Sequence, residues 1–600
     1  MAWLPALAGA APLFVRRRFG AGVTMFIVAG FMLQLFAWLG QPSTAWPLYG
    51  YAGIMTLILW IIAAIVDMVI ADDLSFIALF PVAGFVLLIG SWVMGWSLFN
   101  AGTYAHMIGS MEAREWTRDI QPKDPRHMAM VTPDNAFYLA KKAIGQEGAI
   151  GSQFSLNQDA MTLQRHGGEL VYVVPLDFKG FSTWTGTEGV PAYIIVSAED
   201  PERRPEMVKL PRGEELKYTP DAYFSYYLTR HLREQGYVNV ALEDPWFELD
   251  ENNKPWWITP TYVPTVMWSG ERVTGVLVTN PASGDTRWYA LQDAPSWIDR
   301  LMPRDIVRNY VSWWGDLSGG WWNSFWTQKS LTQPEKTILV YGSDNRLMYV
   351  TDITSSNGKD DSLVGLVYTD TRTGKSSLYY VTGGATASAI LSAVNHNQDV
   401  HYKNLHGDWA QLYNIDNTMG VVVPLLNAQD AFQGVAIAEL QNPQDVAVGT
   451  TQFEALNRYK AILARRGQQV AIENIAEAKT LSGTIDRIRQ DVSGPYYFIV
   501  TGTPHIFTAS SQDYPKLPLA EKGDAVELKY LASGETVLPV ITFDDLSITV
   551  EKTKAEGQVA GAAAARQAKE GERNLSVDTE AQFRNLTPEQ REQLLKQMKK

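Results

Sequence analysis

The first hundred residues alternate long apolar stretches with short polar ones. The apolar stretches run over Ala21–Leu39, Trp46–Val66 and Leu74–Phe99, and their interiors carry no Lys or Arg. Each reaches the ~20 residues that a helix needs to cross the hydrocarbon core of a bilayer. Three such runs in succession favour membrane spans over the buried helices of a soluble protein. The pattern predicts a three-helix transmembrane region over residues 21–100, behind a short leader or interfacial helix over residues 1–20.

The charges that flank these stretches predict their orientation. Three arginines at residues 16–18 stand directly before the first stretch, whereas the loop over residues 41–50 has no charge. The excess of basic residues on cytoplasmic loops then predicts a cytoplasmic N-terminus. Three crossings would place the large domain after Asn100 outside the cytoplasm, so we predict an integral membrane protein with an extracytoplasmic domain. The second loop, which this topology places in the cytoplasm, contains three aspartates between residues 67 and 73 and no basic residue. The predicted orientation therefore depends on the arginines at residues 16–18 alone.

After a linker over residues 101–131, helical and strand-like patterns recur. Polar turns followed by strand-like runs are "RHGGELVYVVPLDF" from Arg165, "DENNKPWWITPTYV" from Asp250, "GSDNRLMYVTDITS" from Gly342 and "NIDNTMGVVVPLLN" from Asn414. A helical pattern precedes each run, and the first begins with Thr132 as N-cap and Pro133 at the first position. A second Thr-Pro-Asp at residues 219–221 predicts another helix start. The recurrence predicts an α+β repeat.

This unit resembles the PepSY domain, a helix-on-antiparallel-sheet module of envelope proteins. The Ala-rich helix, the strands "ELVYVVPL" and "PWWITPTY", and the closing hairpins "VTNPASGDTRWY" and "VYTDTRTGKSSLYY" carry the resemblance. It covers about Pro133 to Gly449 in four imperfect copies. The copies span residues 132–217, 218–293, 294–383 (which includes a Trp-rich helical segment) and 384–449. The resemblance implies an envelope role in binding, inhibition or assembly, and it supplies no catalytic residues.

The remaining chain divides into a linker helix (450–479), an all-β stretch (480–550) and a tail (551–600). Five short strand-like runs from "LSGTIDRIRQ" to "VLPVITFDD" resemble an OB-type barrel. Lys522, Asp524 and Glu527 interleave on it, so we expect a structural barrel rather than a nucleic-acid site. The tail predicts a spacer and a C-terminal helix whose narrow apolar stripe consists of Leu594, Leu595 and Met598. This helix is either solvated or a docking peptide for a partner groove.

The acidic run "LDENNKPWW" raises the alternative of a cation site. A calcium loop needs alternating oxygen ligands, a glycine and a late bidentate carboxylate, and Lys254 and Pro255 break that pattern. We therefore predict a hairpin turn. His396, His401 and His406 recur in steps of five, which suits neither a helix face nor one side of a strand. No cofactor and no metal site are predicted.

Composition excludes several kinds of chemistry. The chain of 600 residues has a net charge of −13 and no cysteine, which excludes thiol catalysis and cysteine-ligated zinc. No basic stripe interrupts the negative charge, so no nucleic-acid partner is expected. No HExxH or GxSxG motif occurs. The acidic run of Glu243, Asp244, Glu248 and Asp250 keeps open an envelope hydrolase, because two facing carboxylates perform glycosidic chemistry.

Tryptophan is concentrated in one region. Of 20 tryptophans, 11 fall between Trp246 and Trp326. The densest group is Trp313, Trp314, Trp321, Trp322 and Trp326. These side chains either pack between repeats, lie in the membrane interface, or form a platform for a peptide, glycan or second subunit. They and the C-terminal stripe are the candidate partner-binding residues.

The sequence thus predicts a membrane-anchored α+β protein with three transmembrane helices, about four helix-on-antiparallel-sheet repeats, a small OB-like barrel and a C-terminal helix. The function predicted is that of a non-enzymatic scaffold or assembly component of an envelope complex. Its expected partners are the lipid bilayer and proteins, self-assembly included. The alternative is an envelope hydrolase, or a regulator of an envelope protease or hydrolase.

Overall fold

The computed structural model describes most of the chain. The described residues are 3–39, 48–71, 76–122, 127–342, 346–356, 362–466, 478–490, 495–511, 514–531 and 536–548. The tail 551–600, with Leu594, Leu595 and Met598, lies outside the described residues, as do residues 467–477 of the predicted linker helix.

Four helices form the N-terminal part: α1 (Trp3–Val15), α2 (Phe19–Leu39), α3 (Leu48–Ala71) and α4 (Leu79–Met94). Within the described residues, two stretches are long and apolar enough to cross a membrane, Ala52–Ala71 and Phe76–Met94. The prediction of three spans is therefore met only in part, because the described side chains of α2 cover the shorter stretch Phe19–Leu35. Only 17% and 6% of the two long stretches is buried, so the protein itself leaves their apolar surfaces uncovered.

The first helix packs along the others. Ala6 of α1 joins Ala29 of α2 and Leu59 of α3 in one buried cluster. A polar contact lies further along the bundle, where Arg16 lies 3.3 Å and Arg18 3.5 Å from the carboxylate oxygens of Asp67. These contacts with the fully buried Asp67 hold the α1–α2 turn against the end of α3.

The third predicted span, 74–99, is interrupted, and the predicted linker is structured. After α4 come α5 (Ser97–Ala105), the short strand β1 (Glu112–Arg114) and α6 (Trp116–Asp119). Trp116 is buried, and its Nε1 donates to the Tyr368 hydroxyl at 3.0 Å. The described part of the predicted linker therefore contributes to the sheet domain and is not only a connection.

Two mainly antiparallel sheets follow and share a core. Sheet 1 consists of β2 (Phe154–Leu156), β3 (Thr162–His166), β4 (Glu169–Phe178), β5 (Ala192–Ser197) and β6 (Glu206–Lys209). Sheet 2 consists of β7 (Ala241–Leu242), β8 (Trp246–Leu249), β9 (Pro255–Val266), β10 (Ser269–Thr279) and β11 (Thr286–Ala290). Phe247 and Trp257 of sheet 2 are buried in the same cluster as Val173 and Tyr193 of sheet 1. The two sheets are thus one packed body.

Two further sheets pair in the same way. Sheet 3 is formed by β12 (Thr332–Tyr341), β13 (Leu347–Ser355), β14 (Ser362–Asp370) and β15 (Ser376–Ala385), with β1 parallel to β15 at its edge. Sheet 4 is formed by β16 (Gln411–Ile415), β17 (Thr418–Leu426), β18 (Phe432–Glu439) and β19 (Asn442–Gly449). Leu366 and Tyr379 of sheet 3 share a buried cluster with Val421 and Ala436 of sheet 4.

The helices of this region are α7 (Pro133–Gln146), α8 (Gly148–Gln153), α9 (Phe181–Gly186), α10 (Leu228–Glu234), α11 (Arg304–Leu317), α12 (Ala387–His396) and α13 (Gln398–His401). The predicted start of α7 is confirmed, because the Thr132 side chain accepts from Asn135 N and Pro133 opens the helix. The second Thr-Pro-Asp is not a helix start, since α10 begins only at Leu228. There the Thr219 hydroxyl donates instead to the buried Asp177, at 2.5 Å.

The predicted small all-β barrel is confirmed as a closed barrel of five strands. Its strands are β20 (Ala478–Gln490), β21 (Tyr496–Val500), β22 (Ile506–Ala509), β23 (Ala525–Leu531) and β24 (Val537–Asp545), in the order β20-β21-β22-β24-β23. The helix α14 (Gln452–Arg465) lies between sheet 4 and this barrel. Tyr459 of α14 is fully buried on sheet 4, and its hydroxyl lies 2.8 Å from the Thr418 hydroxyl.

The acidic run "LDENNKPWW" is a hairpin turn, as predicted. β8 and β9 pair antiparallel up to Leu249 and Pro255. The Asp250 carboxylate accepts from the backbone N of Asn252 and Lys254 at 2.8 and 2.9 Å, and from Trp256 Nε1 at 3.1 Å. Asn253 has a φ of 62°, a conformation that asparagine tolerates in turns. The oxygens of Asp250 therefore hold the turn together.

Candidate functional site

The end of α4 turns directly into the sheet domain. Gly95 ends α4, and Trp96 is extended with φ −67° and ψ 150°, so α5 leaves in a new direction. Asn100 Nδ2 donates to the carbonyl oxygens of Met94 and Trp96 at 2.6 and 3.1 Å, and the Tyr104 hydroxyl donates to that of Gly95 at 2.8 Å. These bonds satisfy carbonyl groups that a helix end leaves open, so the direction of the turn is fixed by side chains of α5.

The tip of the β9–β10 hairpin reaches the same place. Trp268 Nε1 donates to the Ser91 hydroxyl of α4 at 2.8 Å. Val266 is buried with Tyr104 and Leu317 in one small cluster. Met267, which lies between Val266 and Trp268 in the chain, adopts a φ of 54° and is half exposed. The tip of the hairpin therefore projects beside the end of α4.

Helix α11 supplies the third wall of this junction. The ring of Trp313 lies 4.9 Å from that of Tyr104 and 6.1 Å from that of Tyr310. Trp314 packs against the buried cluster between α11 and sheet 3. Trp313 and Trp314 are therefore packed within the protein, and packing of tryptophans between repeats stays a prediction.

A cavity of about 440 Å³ opens where the three walls meet. Its aromatic side chains are Trp92, Trp96, Tyr104, Trp268 and Trp313, which we call the aromatic junction. One acidic side chain, Asp316 of α11, lines it as well. Burial raises the pKa of Asp316 above its ordinary value. Among the described residues this carboxyl group has neither a hydrogen-bond nor an ion-pair partner.

The remaining tryptophans of the Trp-rich segment lie outside the core. Trp321, Trp322, Phe325 and Trp326 form an aromatic ledge around the π-helical turn Asn323–Thr327. Trp321 stacks on Phe325 with ring centroids 4.9 Å apart and an angle of 7° between the planes. Trp322, Phe325 and Trp326 are 70%, 59% and 75% exposed. Sequence reasoning grouped these tryptophans with Trp313 and Trp314, whereas the structure separates packed rings from exposed ones.

A second cavity, of about 620 Å³, lies between sheet 3 and β16. It is lined by Arg114, Arg118, Arg346 and Lys375, together with Asp119 and Asp370. Most of these charges are paired, since Arg114 lies 3.6 Å from Asp119 and Arg346 3.2 Å from Asp370. Sequence reasoning did not find this cavity, because its basic residues come from the predicted linker and from separate strands.

The acidic run proposed for hydrolysis is dispersed over different environments. Asp250 holds the hairpin turn, while Glu248 is fully buried and burial raises its pKa to about 8. Burial likewise raises the pKa of Glu243 to about 7. None of these carboxyl groups, nor that of Asp244, lines either of the two cavities.

The histidines are not gathered around a common centre. His396 Nδ1 lies 2.7 Å from the Ser392 carbonyl oxygen, and His406 lies 4.0 Å from Asp430. In the part of the chain that the structure describes, no group of three His, Cys, Asp or Glu side chains could hold a metal ion.

The aromatic junction is the candidate functional site, because it combines a cavity, an unpaired carboxyl group and a contact between two parts of the chain. No protein-family model matches this chain, and no curated protein matches it.

Proposed function

We propose that this protein is a non-enzymatic, membrane-anchored scaffold or assembly component of an envelope complex. The observation that carries the proposal is the aromatic junction, where Trp268, Tyr104 and Trp313 tie the sheet domain to the last turn of α4. A domain joined in this way keeps a set distance and direction from the end of its anchor. Such positioning suits a protein that presents surfaces to partners.

The anchor proposed consists of α2, α3 and α4, crossing the bilayer in alternate directions. The 21 residues of α2 would be roughly 30 Å long, about the thickness of the hydrocarbon core. The contacts of Arg16 and Arg18 with Asp67 put the start of α2 and the end of α3 together. With these arginines in the cytoplasm, α4 would end on the outer side and the sheet domain would be extracytoplasmic.

The sheets and the barrel support a binding role of the kind that PepSY-like and OB-like modules imply. A helix precedes each sheet along the chain, as in the proposed repeats, and the barrel closes with five strands. The buried sides of the sheets are filled by their own packing. Proteins, including further copies of this chain, would then dock on outer surfaces and on the exposed aromatic ledge.

Membrane topology gives the first test, and the absence of cysteine makes it specific. A single cysteine at Ser283, exposed in the β10–β11 turn, should react with a membrane-impermeant maleimide in intact cells. A cysteine at Arg17, exposed in the α1–α2 turn, should react only after lysis. The reverse pattern would overturn the proposed location.

Assembly gives the second test. After extraction in a mild detergent, the full chain should migrate as part of a particle with more protein mass than one copy, measured by light scattering. Replacing Trp322 and Trp326 of the ledge by serine should reduce that mass if the ledge holds a partner. A single copy alone, both in extracts and after cross-linking in cells, would contradict the scaffold role.

A further inference from the structure

The aromatic junction has the composition of a site for a cationic group. The rings of Trp92 and Trp96 stand 5.2 Å apart and nearly perpendicular, at 83°, and form a corner. Tyr104 and Trp313 form a second tilted pair, 4.9 Å apart. Faces of indole and phenol rings attract ammonium groups, and aromatic cages bind quaternary ammonium ligands. All four rings line the same cavity.

Asp316 adds the complementary charge. Its carboxyl group lines the cavity and has no ion-pair partner among the described residues. Burial of this group raises its pKa, so ionisation here is costly without a cation nearby. A bound ammonium group would offset that cost by direct charge pairing. The cavity therefore favours cations over anions and over neutral apolar ligands.

The position of the cavity indicates where the ligand comes from. One wall is the last turn of α4, with Trp92 and Gly95, and Trp92 is 60% exposed. Ser324, beside the ledge residues Phe325 and Trp326, lines the cavity too. Exposed indoles beside the end of an apolar helix are typical of the headgroup level of a bilayer. A volume of about 440 Å³ falls within the range of small-molecule binding pockets and leaves room for a lipid headgroup.

We propose that the aromatic junction binds the ammonium group of a zwitterionic phospholipid, with phosphatidylethanolamine as the probe, from the leaflet that faces the sheet domain. This inference rests on the proposed membrane anchoring. The rings surround the ammonium group, Asp316 pairs with it, and the acyl chains run along α4. A bound lipid of this kind would hold the β9–β10 tip and α11 against the end of α4.

Lipid retention by the full chain tests the proposal. The protein would be purified in detergent, supplied with phosphatidylethanolamine or phosphatidylglycerol, and measured by native mass spectrometry. We expect one tightly retained phosphatidylethanolamine and no comparable phosphatidylglycerol. Asp316→Asn should weaken that retention about tenfold, because a charge-assisted contact is lost. Asp305→Asn is the matched control, since Asp305 is exposed on the same helix, outside the cavity.

A second variant tests whether misfolding could explain a loss of lipid retention. Trp96→Leu keeps an apolar side chain but removes a π face, and it should also lower phosphatidylethanolamine retention. Equal retention by the original protein and both variants would overturn the proposal, as would equal retention of phosphatidylglycerol. Soluble phosphoethanolamine that binds as tightly as phosphatidylethanolamine would assign the site to a free amine and overturn the lipid source.

The remaining outcomes separate this inference from the proposed function. The Asp316→Asn variant could lose a co-purifying protein while its lipid retention stays unchanged. That result would assign the cavity to a lysine of the co-purifying protein and overturn the lipid proposal. Maleimide labelling at Ser283 reports on topology alone. Unchanged labelling with no lipid selectivity would overturn the lipid site and leave the scaffold standing, whereas labelling only after lysis would overturn the proposed location.

Discussion

Replacing Glu248 by glutamine should remove one cause of the loss of stability that the sheet domain undergoes as pH rises. Glu248 lies on β8, fully buried, and its Oε2 accepts from the backbone N of Asp299 at 3.2 Å. Burial, followed by the charge of Asp299, raises the pKa of Glu248 from 4.5 to about 8. The folded protein therefore holds this carboxyl group protonated at neutral pH. Glutamine has the same shape and cannot ionise.

The sign and the size of the effect follow from proton linkage. Between pH 4.5 and 8 the unfolded chain has released the proton of Glu248 while the folded chain retains it, so stability falls as pH rises. The raised pKa of Glu248 lowers the free energy of unfolding by on the order of 4 kcal/mol at pH 8, before any relaxation of the site. Each kcal/mol moves the unfolding midpoint of a chain this large by about 2 °C or less.

Thermal unfolding of the full chain in detergent, from pH 5 to pH 8, measures this effect. Glu248→Gln and the original protein should unfold at similar temperatures at pH 5, and the variant several degrees higher at pH 8. Glu251→Gln is the control, because Glu251 is exposed in the adjoining turn. Other buried carboxyl groups, such as Asp177 with a pKa of about 7, lower both curves alike. Curves for Glu248→Gln and the original protein that stay parallel over this range would refute the reasoning.

Three further predictions concern packing. Replacing Asp67 by alanine should disturb the N-terminal helices less than replacing both Arg16 and Arg18, because loss of Asp67 leaves two partly exposed arginines, whereas loss of the arginines leaves a buried carboxylate without these cations. Maleimide access to cysteines in α3 measures this. Gly315→Ala should lower the unfolding temperature, since its Cβ would lie 2.2 Å from the Thr332 carbonyl oxygen, whereas Gly102→Ala meets nothing within 4 Å and should be neutral or stabilising. Tyr459→Phe should lower the free energy of unfolding by about 1 kcal/mol, and Tyr459→Ala by about 3–5 kcal/mol, as measured by denaturant unfolding of the full chain.

Local patterns predicted the elements well. Thr132 and Pro133 start α7 because the N-cap hydroxyl oxygen accepts from a backbone N–H three residues along the chain. The "LDENNKPWW" turn follows from Asp250 and from the positive φ that Asn253 tolerates. The same local pattern failed at Thr219, whose hydroxyl donates to Asp177 on β4. Competition from a distant partner is invisible in a window of a few residues.

The candidate site could be predicted only in outline. The density of tryptophan marked the region around Trp313 to Trp326, but nothing near these residues in sequence separates packed rings from exposed ones. That separation depends on Tyr104 and on the hairpin tip at Trp268, which come from distant parts of the chain. The sequence likewise does not mark Asp316 as a site residue, since only the tertiary structure places this acidic side chain of α11 at a cavity.

The sequence by itself determined the apolar stretches at the N-terminus, the α+β class, the hairpin turns and the small barrel, because these depend on side-chain periodicity and on turn chemistry within a few residues. Tertiary structure alone decided that β1 completes sheet 3, that the predicted third apolar stretch is interrupted after α4, and that five aromatic rings and Asp316 line a cavity beside α4. Such features arise when surfaces from separate segments bury one another, and the free energy of that burial depends on which surfaces meet.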